Sequence, residues 1–575
     1  MPRAPLVLAL LLHGCADHKP PVDPGTPKEL AQGFQERGAK VLEQDHYGDH
    51  ASRVVYLDQN WGPAETLWFY HADQGSMLMP YQMLVHLEQA DSTTPLIDPS
   101  HLAKYRFLNQ HTTPNNPDAL PVGFARHDDA VGLTCAACHT GQINYQGTAI
   151  RVDGAPALID VVGFFRAIEA AQRATLGDAE KLARYAASLP GGGTDAESLA
   201  AARADLETSL AWFASYNTVN HSTTTEGFAR LDAVVRILNQ AIRFTSDPKY
   251  SVETNSPTSF PLLWDIPRHD YVQWTGFAPN AGAGSLARNA GEVVGVFGHV
   301  EVKNYKTEEE AKKGYKSSIA ANNLVSMEET LRSLQSPQWP EEILGAIDRS
   351  KASRGAEIYK TECERCHALL DRDDPRRKVT AMVTSLDTVG TDPTAANNLV
   401  YATVPSGILE GAISPFGQTY GPTMPALSLI ADLDVRVVSA FPEAAVRAIA
   451  NAKLAGLEET EKQGDHPAKT DDNPRADLLA YKARPLNGTW ASSPYLHNGS
   501  VPDLYSLLLP PDQRPARFAI GRLEYDPQKV GYRSDGDVPF VLDTTLTGNA
   551  NQGHLFGTTL SEPDRLALLE YLKTL

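Results

Sequence analysis

The sequence has few cysteines and no long hydrophobic run. Five cysteines occur in 575 residues, and four of them lie in two short clusters, so the chain is not built on a disulfide framework. The apolar run at residues 6–12 is too short to cross a bilayer, and no longer run follows it. No repeat period is visible, which argues against a solenoid or a coiled coil.

Positive charge is also scarce. Lys and Arg total 51 against 70 Asp and Glu, which gives a formal net charge of -19. Nucleic acids and anionic membrane surfaces attract basic faces, so neither is expected as the main partner. The length and the hydrophobic fraction of 42% together indicate about two to four folded domains.

The first 15 residues have the outline of an export signal. Arg3 precedes the apolar run, and the ending at Cys15 resembles a bacterial lipobox, in which the cysteine is lipidated and becomes the first mature residue. His13 is unusual in such a motif, and the alternative is cleavage further on, which discards Cys15. We expect an exported protein, periplasmic, anchored in the outer membrane or extracellular, whose membrane contact is a lipid anchor, with a flexible tether over residues 16–50.

Two copies of the pattern Cys-x-x-Cys-His contain the remaining cysteines. The copies are Cys135, Cys138 and His139, and Cys363, Cys366 and His367. Two thiols at this spacing add to the two vinyl groups of one haem, and the adjacent histidine supplies an axial ligand to the iron. Neither a thioredoxin-like motif nor a zinc site requires histidine at that position in both copies. The sequence therefore predicts two covalently bound c-type haems.

The distance between the motifs is larger than one small cytochrome domain requires. A turn-rich break at residues 336–340 divides the chain into an N-terminal cytochrome c-like domain, residues 51–338, and a C-terminal one, residues 339–575. Helical periodicity predicts helices at 155–171, 179–189 and 195–216, one that runs into Cys363, and one that starts at Ser561, whereas strand signal is limited to short runs such as 293–296. We expect a mainly α fold with two cytochrome c-like haem domains, long loops and an insertion-rich N-terminal half.

Several segments resemble known diheme proteins. Residues 485–504, with Tyr495, His497 and Gly499, resemble the aromatic-x-His-(Asp/Asn)-Gly signature of bacterial diheme cytochrome c peroxidases and of the diheme enzyme that matures methylamine dehydrogenase. Four further segments are similar to the diheme rubber oxygenases, secreted enzymes that cleave poly(cis-1,4-isoprene) with dioxygen: residues 68–81, 263–274, 288–293 and 553–559. The similarity extends from about residue 50 to the end of the chain.

The resemblance implies unequal roles for the two haems. It assigns His139 as the proximal ligand of an N-terminal haem whose other face is open to dioxygen, and His367 as the proximal ligand of a six-coordinate C-terminal haem. Trp264 matches a tryptophan that lies between the haems, although a buried core tryptophan is the alternative. Leu263 stands where the rubber oxygenases have a phenylalanine of the dioxygen pocket, so the pocket stays apolar but changes shape, which puts polyisoprene as the substrate in question.

Three residues compete as the sixth ligand of the C-terminal haem. Met424 lies in a Met-Pro loop at a distance from His367 that is typical of class I cytochromes, and a methionine ligand raises the reduction potential relative to histidine. His554 lies in a glycine-flanked loop before the terminal helix, and the family resemblance favours a histidine from this part of the chain. His497 belongs to the peroxidase-type signature, where its counterpart lies beside a haem without binding the iron.

Three functions remain open. The first is a haem-dependent oxygenase that cleaves double bonds of an apolar, isoprenoid-like small molecule or polymer with dioxygen. The second is a diheme peroxidase that takes electrons from a small cytochrome or cupredoxin and needs an acid–base group near the open iron. Glu292 is a candidate for that group, with an exposed or salt-bridged carboxylate as the alternative. The third is an electron-transfer lipoprotein without catalytic activity.

Overall fold

The computed structural model describes residues 37–575 except residues 115, 459–461, 537 and 539. The export signal with Cys15 and the first part of the predicted tether lie outside the described residues. The structure contains 39% helix and 17% strand, so the prediction of a mainly α fold was wrong and the fold is mixed. Within the described ranges, no helix combines the length and the apolar character needed to cross a membrane.

Helices occur throughout the described chain. They are α1 Pro63–His71, α2 Tyr81–His86, α3 Pro99–Lys104, α4 Cys135–Cys138, α5 Val161–Gly177, α6 Ala179–Ser188, α7 Ala196–Val219, α8 Ala233–Thr245, α9 Gly284–Gly295, α10 Glu308–Ala311, α11 Ala321–Leu331, α12 Glu341–Leu344, α13 Arg349–Glu362, α14 Leu386–Val389, α15 Thr394–Tyr401, α16 Ala426–Ser439, α17 Pro442–Leu454, α18 Leu504–Leu507 and α19 Glu562–Leu572.

The strands are short and form several small sheets. They are β1 Ala51–Tyr56, β2 Met79–Pro80, β3 Phe124–His127, β4 Ala130–Leu133, β5 Thr140–Tyr145, β6 Gly147–Asp153, β7 Arg230–Leu231, β8 Thr258–Ser259, β9 Tyr271–Val272, β10 Ala278–Pro279, β11 Val300–Glu301, β12 Lys316–Ser317, β13 Met382–Ser385, β14 Thr403–Pro405, β15 Thr423–Pro425, β16 Gln463–Asp465, β17 Ala480–Ala483, β18 Arg517–Ile520, β19 Tyr525–Asp526, β20 Gly531–Tyr532 and β21 Phe540–Asp543.

Three of the sheets have three strands, and all three flank the cysteine motifs. The orders are β1-β6-β5, β2-β4-β3 and β16-β13-β17. Strand β1 pairs parallel with β6, and β6 pairs antiparallel with β5. The first motif lies between β4 and β5, and β17 ends directly before Arg484. The sheets therefore position the backbone of the first motif and of Arg484.

The alanine-rich helices form close to where periodicity predicts them. Asp160, Asp178 and Asp195 each accept hydrogen bonds from backbone N–H groups of the first turn, so these caps define where α5, α6 and α7 begin. The strand signal at residues 293–296 was wrong, because residues 293–295 lie inside α9. Buried valines in a helix and in a strand give the same short apolar run.

Residues 37–50 pack on the body of the protein. Ala39 is fully buried, the backbone N–H of Lys40 donates to Asn109, and the guanidinium of Arg37 donates to the carbonyl of Trp61. A flexible tether therefore does not extend to residue 50 as predicted. The backbone of residues 37–50 is partly satisfied by contacts with residues far along the chain.

The terminal helix, α19, packs against α13, the helix that precedes the second motif. Ser561 caps α19 by accepting from the N–H of Asp564. The rings of Tyr359 and Tyr571 lie 5.2 Å apart. Gly355 lies at the crossing, where a Cβ would be 2.1 Å from the carbonyl oxygen of Ala567. Glycine is therefore required for the two helices to approach this closely.

One large hydrophobic cluster includes side chains from both predicted domains. Trp264 belongs to it together with Trp339 and Trp490, and the rings of the last two are 5.4 Å apart. The division at residue 338 stays a prediction. The shared cluster means that burial of apolar surface holds the two halves against each other.

Replacing Gly355 by alanine should destabilise the protein by about 1–3 kcal/mol, because the added methyl group overpacks the helix crossing. Urea or thermal unfolding of the haem-loaded protein measures the change. Gly177→Ala is the matched control, since a Cβ at Gly177 meets no atom within 4 Å. Equal unfolding midpoints for the two variants would contradict the close approach.

Candidate functional site: the environments of the two cysteine motifs

The first motif forms a single helical turn. Thr134 caps it by accepting from the N–H of Ala136, and His139 follows as the C-cap residue. Gly123, with a φ of +88°, lies against this turn so closely that a Cβ would be 2.2 Å from the nitrogen of Ala137. Glycine at this position permits both the left-handed backbone and the close contact.

The second motif continues directly from α13. Cys363 is the C-cap of this helix, and the backbone N–H of His367 donates to the carbonyl of Cys363 over 2.9 Å. The hydroxyl of Tyr359 donates to the carbonyl of His367 over 2.6 Å. The helix and its tyrosine therefore fix the direction of the His367 side chain.

Both motif histidines donate from Nδ1 to a backbone carbonyl. His139 donates to the carbonyl of Pro261 over 2.7 Å, and His367 donates to that of Arg484 over 2.6 Å. A carbonyl only accepts, so each Nδ1 carries the proton and each Nε2 keeps a free lone pair. Burial lowers the pKa of His139 to about 4 and also lowers the pKa of His367. Both imidazoles are therefore neutral and directed as metal ligands are.

A large, mainly apolar cavity surrounds His367. It contains about 1480 Å³ of space between atoms, including its solvent-facing mouth. Cys363 and Cys366 line one part of it, and Pro261, which accepts the hydrogen bond from His139, lines another. The surroundings of the two motifs therefore meet at this cavity.

His554 lies opposite His367 in the cavity. Their ring centroids are 6.3 Å apart. Two metal–nitrogen bonds of about 2 Å each, with the half-widths of two imidazole rings, span about 6 Å between centroids. Burial, followed by the proximity of His367, which disfavours a second positive charge, lowers the pKa of His554 to about 3. A neutral imidazole pair at this spacing fits an iron bound between the two rings.

The other two candidates for the sixth ligand are placed differently. Met424 lies on β15 in a separate hydrophobic cluster with residues such as Leu286 and Leu429, away from the cavity. That position does not support Met424 as a ligand, because its sulfur is enclosed by other side chains. His497 lines the cavity but stacks on Tyr481, with centroids 3.9 Å apart. The stacked rings of His497 and Tyr481 both line the wall of the cavity.

Trp264 connects the two backbone segments that accept from the motif histidines. Its indole N–H donates to the carbonyl of Asn487 over 2.8 Å, and Arg484 donates to the carbonyl of Leu262 over 3.3 Å. Residues 261–264 and 484–487 are thus joined by two hydrogen bonds. Leu263 is buried and donates its N–H to the carbonyl of Gly154. The buried indole of Trp264 therefore connects the backbone segments that orient His139 and His367.

Glu292 is half-buried and forms no ion pair with the residues that the structure describes. Its carboxylate accepts from the amide of Gln273 over 2.8 Å, and burial, with the nearby Glu328 adding to it, raises its pKa. Burial, followed by the charge of Glu292, raises the pKa of Cys135 to about 12 and also raises that of Cys138. Glu292 therefore lies close to the first motif, in an environment that favours a protonated carboxyl group.

Arg484 provides a test of whether a haem fits the cavity. Its guanidinium lies over the ring of Trp274, and its Nε and Nη2 atoms are buried with no hydrogen-bond partner among the described residues. Burial lowers the pKa of Arg484 only to about 10, so the group is charged. An unpaired buried cation is costly. Haem carries two carboxylates that match it, so the donor set and the paired imidazoles fit this group.

Sequence patterns did not single out every one of these groups. Arg484 was not singled out by any motif, and Gln273 and Asn487 lie in the segments 263–274 and 485–504 that resemble known proteins without a role assigned to them. The available signals are these resemblances and the proximity of Arg484 to the peroxidase-type signature. Contacts between residues far apart in the chain bring these groups to the motifs.

Comparisons with known proteins agree with a cytochrome. Residues 480–519 match the model of the RoxA-like, cytochrome c-like family. The uncharacterized protein y4iJ of Sinorhizobium fredii is 30% identical over 590 residues, which cover 91% of this chain and 93% of that protein. The uncharacterized protein y4iM of the same bacterium is 49% identical over 87 residues, 13% of this chain and 20% of that protein. The cytochrome c-like segment implies covalently bound haem c and a haem oxidoreductase.

Replacing Arg484 by methionine should lower the reduction potential of the haem in the cavity, because loss of a buried positive charge favours the oxidised iron. Spectroelectrochemical titration measures this potential. Arg376→Met is the control, since the Arg376 side chain is 91% exposed and its charge is screened by water. An unchanged potential in the Arg484 variant would contradict the fit of haem to this cavity.

Proposed function

We infer the function from the premise that the chain belongs to the family of the Sinorhizobium fredii protein y4iJ and contains a RoxA-like, cytochrome c-like segment. We propose that it is an exported diheme c-type oxidoreductase in which the two haems have different roles. The observation that carries the proposal is the difference between the motif histidines. His367 faces His554, whereas the ring neighbour of His139 among the described residues is Phe260.

A haem with two protein ligands exchanges electrons, and one with an open axial position binds dioxygen or peroxide. Cys363, Cys366, His367 and His554 would hold a haem of the first kind. Cys135, Cys138 and His139 would hold a haem of the second kind. Trp264 links the segments that orient His139 and His367, which supports a role in passing electrons between the sites.

Peroxide reduction is the reaction that the geometry near His139 supports best. Hydrogen peroxide takes up two electrons and two protons to give two molecules of water. Glu292 lies beside the first motif, and burial raises its pKa, which favours the protonated carboxyl group that could donate to the departing oxygen. Gln273 fixes one oxygen of this carboxyl group. A small cytochrome or cupredoxin is the expected electron donor.

Oxidative cleavage of a double bond is the second candidate. The match of residues 480–519 to the RoxA-like family favours it, and the buried Leu263 keeps its segment apolar. Both atoms of dioxygen enter the product, one on each carbon of the former double bond, so no external electron donor is consumed. This reaction needs an apolar unsaturated substrate but no acid such as Glu292.

The proposed cellular location follows from the covalent attachment of haem. Thioether attachment outside the cytoplasm requires export, and the N-terminal signal supplies it in this proposal. Lipidation of Cys15 anchors the protein to a membrane without a spanning helix. Mass spectrometry of the mature N-terminus distinguishes a lipidated Cys15 from cleavage further on.

Replacing His554 by alanine should convert the signal of one low-spin haem to high spin while both haems stay covalently attached, because the axial imidazole is lost and the thioethers are not. Electron paramagnetic resonance and the intact mass measure the two properties. Met424→Leu is the control and should leave the low-spin signal intact. The reverse pattern would identify Met424 as the ligand.

The two reactions differ in their requirements and in their response to Glu292→Gln. Oxidation of a small redox donor by peroxide should fall by about 100-fold or more in this variant, with Glu207→Gln, an exposed change on α7, as the control. Oxygen uptake with polyisoprene or a smaller terpenoid, in the absence of a donor, would instead support the oxygenase. Two low-spin haems that respond to neither dioxygen, carbon monoxide nor peroxide would contradict both reactions and favour simple electron transfer.

A further inference from the structure

One corner of the cavity around His367 carries polar groups on a wall that is otherwise mainly apolar. Trp274 lies at the centre of this corner, and Arg484 and His497 line the cavity on either end of the contact with its ring. The guanidinium carbon of Arg484 is 4.9 Å from the ring centroid of Trp274, and the centroid of the His497 ring is 6.4 Å from it, in an edge-to-face arrangement. These three residues are called the tryptophan corner below.

Hydrogen bonds and ring stacking hold the tryptophan corner in one arrangement. The indole N–H of Trp274 donates to the carbonyl of Ser259 over 3.0 Å, and the backbone N–H of Ser259 donates to the carbonyl of His497 over 2.8 Å. The imidazole of His497 is stacked on the ring of Tyr481. Segments that are far apart in the chain therefore fix where the two polar side chains lie.

Both polar members of the corner have unused hydrogen-bonding groups. Nη1 of Arg484 donates to the carbonyl of Leu262, but Nε and Nη2 have no partner among the described residues. The ring nitrogens of His497 also lack a hydrogen-bond partner in the part of the chain that the structure describes. Arg484 is 8% exposed and His497 is 6% exposed. Because buried polar groups without partners are costly, both side chains are placed to bind a ligand that accepts hydrogen bonds.

Neighbouring charged side chains do not take this role. Lys482 lines the same cavity, but its Nζ is 3.1 Å from Nδ1 of His269 and donates to the carbonyl of Tyr271 over 3.1 Å. Glu362 is the acidic side chain among the described residues that line the cavity, and it lies at the end of α13, next to the second motif. It forms no ion pair with Arg484 in the described structure, so the guanidinium requires an anion that the chain itself does not supply.

We propose that the tryptophan corner binds two carboxylates, one at Arg484 and one at His497, and that they are the two carboxylates of the haem in this cavity. A guanidinium matches a carboxylate with two parallel N–H groups, and a neutral imidazole donates one N–H. The indole of Trp274 separates the two donors, which suits two carboxylates better than one. Arg484 and His497 are then positioning residues that direct one edge of the haem toward Trp274. The inference rests on the haem of the proposed function but on neither of the proposed reactions.

The reduction potential of the haem-loaded protein tests the role of His497. His497→Phe keeps an aromatic ring against Tyr481 but removes the N–H donor, so the pKa of a carboxylate bound there rises. Protonation of that carboxylate removes negative charge near the iron and favours the reduced state. The potential of this variant should therefore rise more steeply than that of the native protein as the pH falls from about 8 to about 5. His497→Gln retains an N–H donor and should restore part of the native profile.

The control for this experiment is Ser259→Ala, which should keep the native profile. The Ser259 hydroxyl lies against Gly499, where a Cβ would be 2.9 Å from Oγ, and the backbone hydrogen bonds of Ser259 remain in the variant. Other titratable groups around the corner, which are Asp392 near His497 and Lys482 with His269 near Arg484, are the same in every variant. A profile that is identical in the native protein and in His497→Phe would overturn the assignment of His497. Conversion of a low-spin haem to high spin in that variant would overturn it as well, because His497 would then be an iron ligand.

A free dicarboxylic acid offers the same two groups as the haem, so a second measurement identifies the occupant. Resonance Raman bands of the haem carboxylates should shift in Arg484→Met and in His497→Gln, because the hydrogen bonds to the carboxylates change; this comparison stays decisive if His497→Phe does not fold. Unshifted bands would overturn the haem as the occupant. So would a change in the haem spectrum when succinate is added to the native protein, if Arg484→Met abolishes that change. An intact mass without haem at Cys363 and Cys366 would overturn the proposed function together with this assignment, whereas the other results overturn the assignment alone.

Discussion

The hydrogen bond from the Nδ1 of each motif histidine to a backbone carbonyl is the constraint on which the site depends. It fixes the neutral tautomer of His139 and His367 and leaves each Nε2 free for a metal. The two accepting segments, which include Pro261 and Arg484, are themselves joined through Trp264. Any movement of one segment therefore changes the orientation of the histidine that it holds, and the rigid core around Trp264 limits such movement.

Burial has opposite consequences for the acidic and the basic groups around this core. It lowers the pKa of imidazoles such as His554, which favours the neutral form that binds metals, and it raises the pKa of Glu292, which favours the protonated form of this carboxyl group beside the first motif. Arg484 stays charged and has no acidic partner in the part of the chain that the structure describes. A protein that buries an unpaired cation loses stability. Binding of a cofactor that carries carboxylates offsets the loss of stability that the buried charge of Arg484 causes.

Helices were easier to predict than strands because their signals are local. Caps such as Asp195 and Ser561 and a periodic apolar face are visible within one turn of chain. Many of the strands have only two to four residues and pair with distant segments, so too few alternating positions exist to show a period of two. Val293 and Val294, which composition placed in a strand, lie in a helix because tertiary packing overrides local preference.

The sequence by itself determined the two Cys-x-x-Cys-His motifs and the glycine-flanked His554, because attachment of haem depends on covalent spacing between neighbouring residues. Only the tertiary structure decided which candidate faces His367 and which lies elsewhere, as Met424 does, and only it placed Glu292 beside the first motif. Opposite sides of an iron site come from segments distant in sequence, and their meeting depends on how the whole core packs. The spacing of neighbouring residues in the sequence does not show which distant segments pack together.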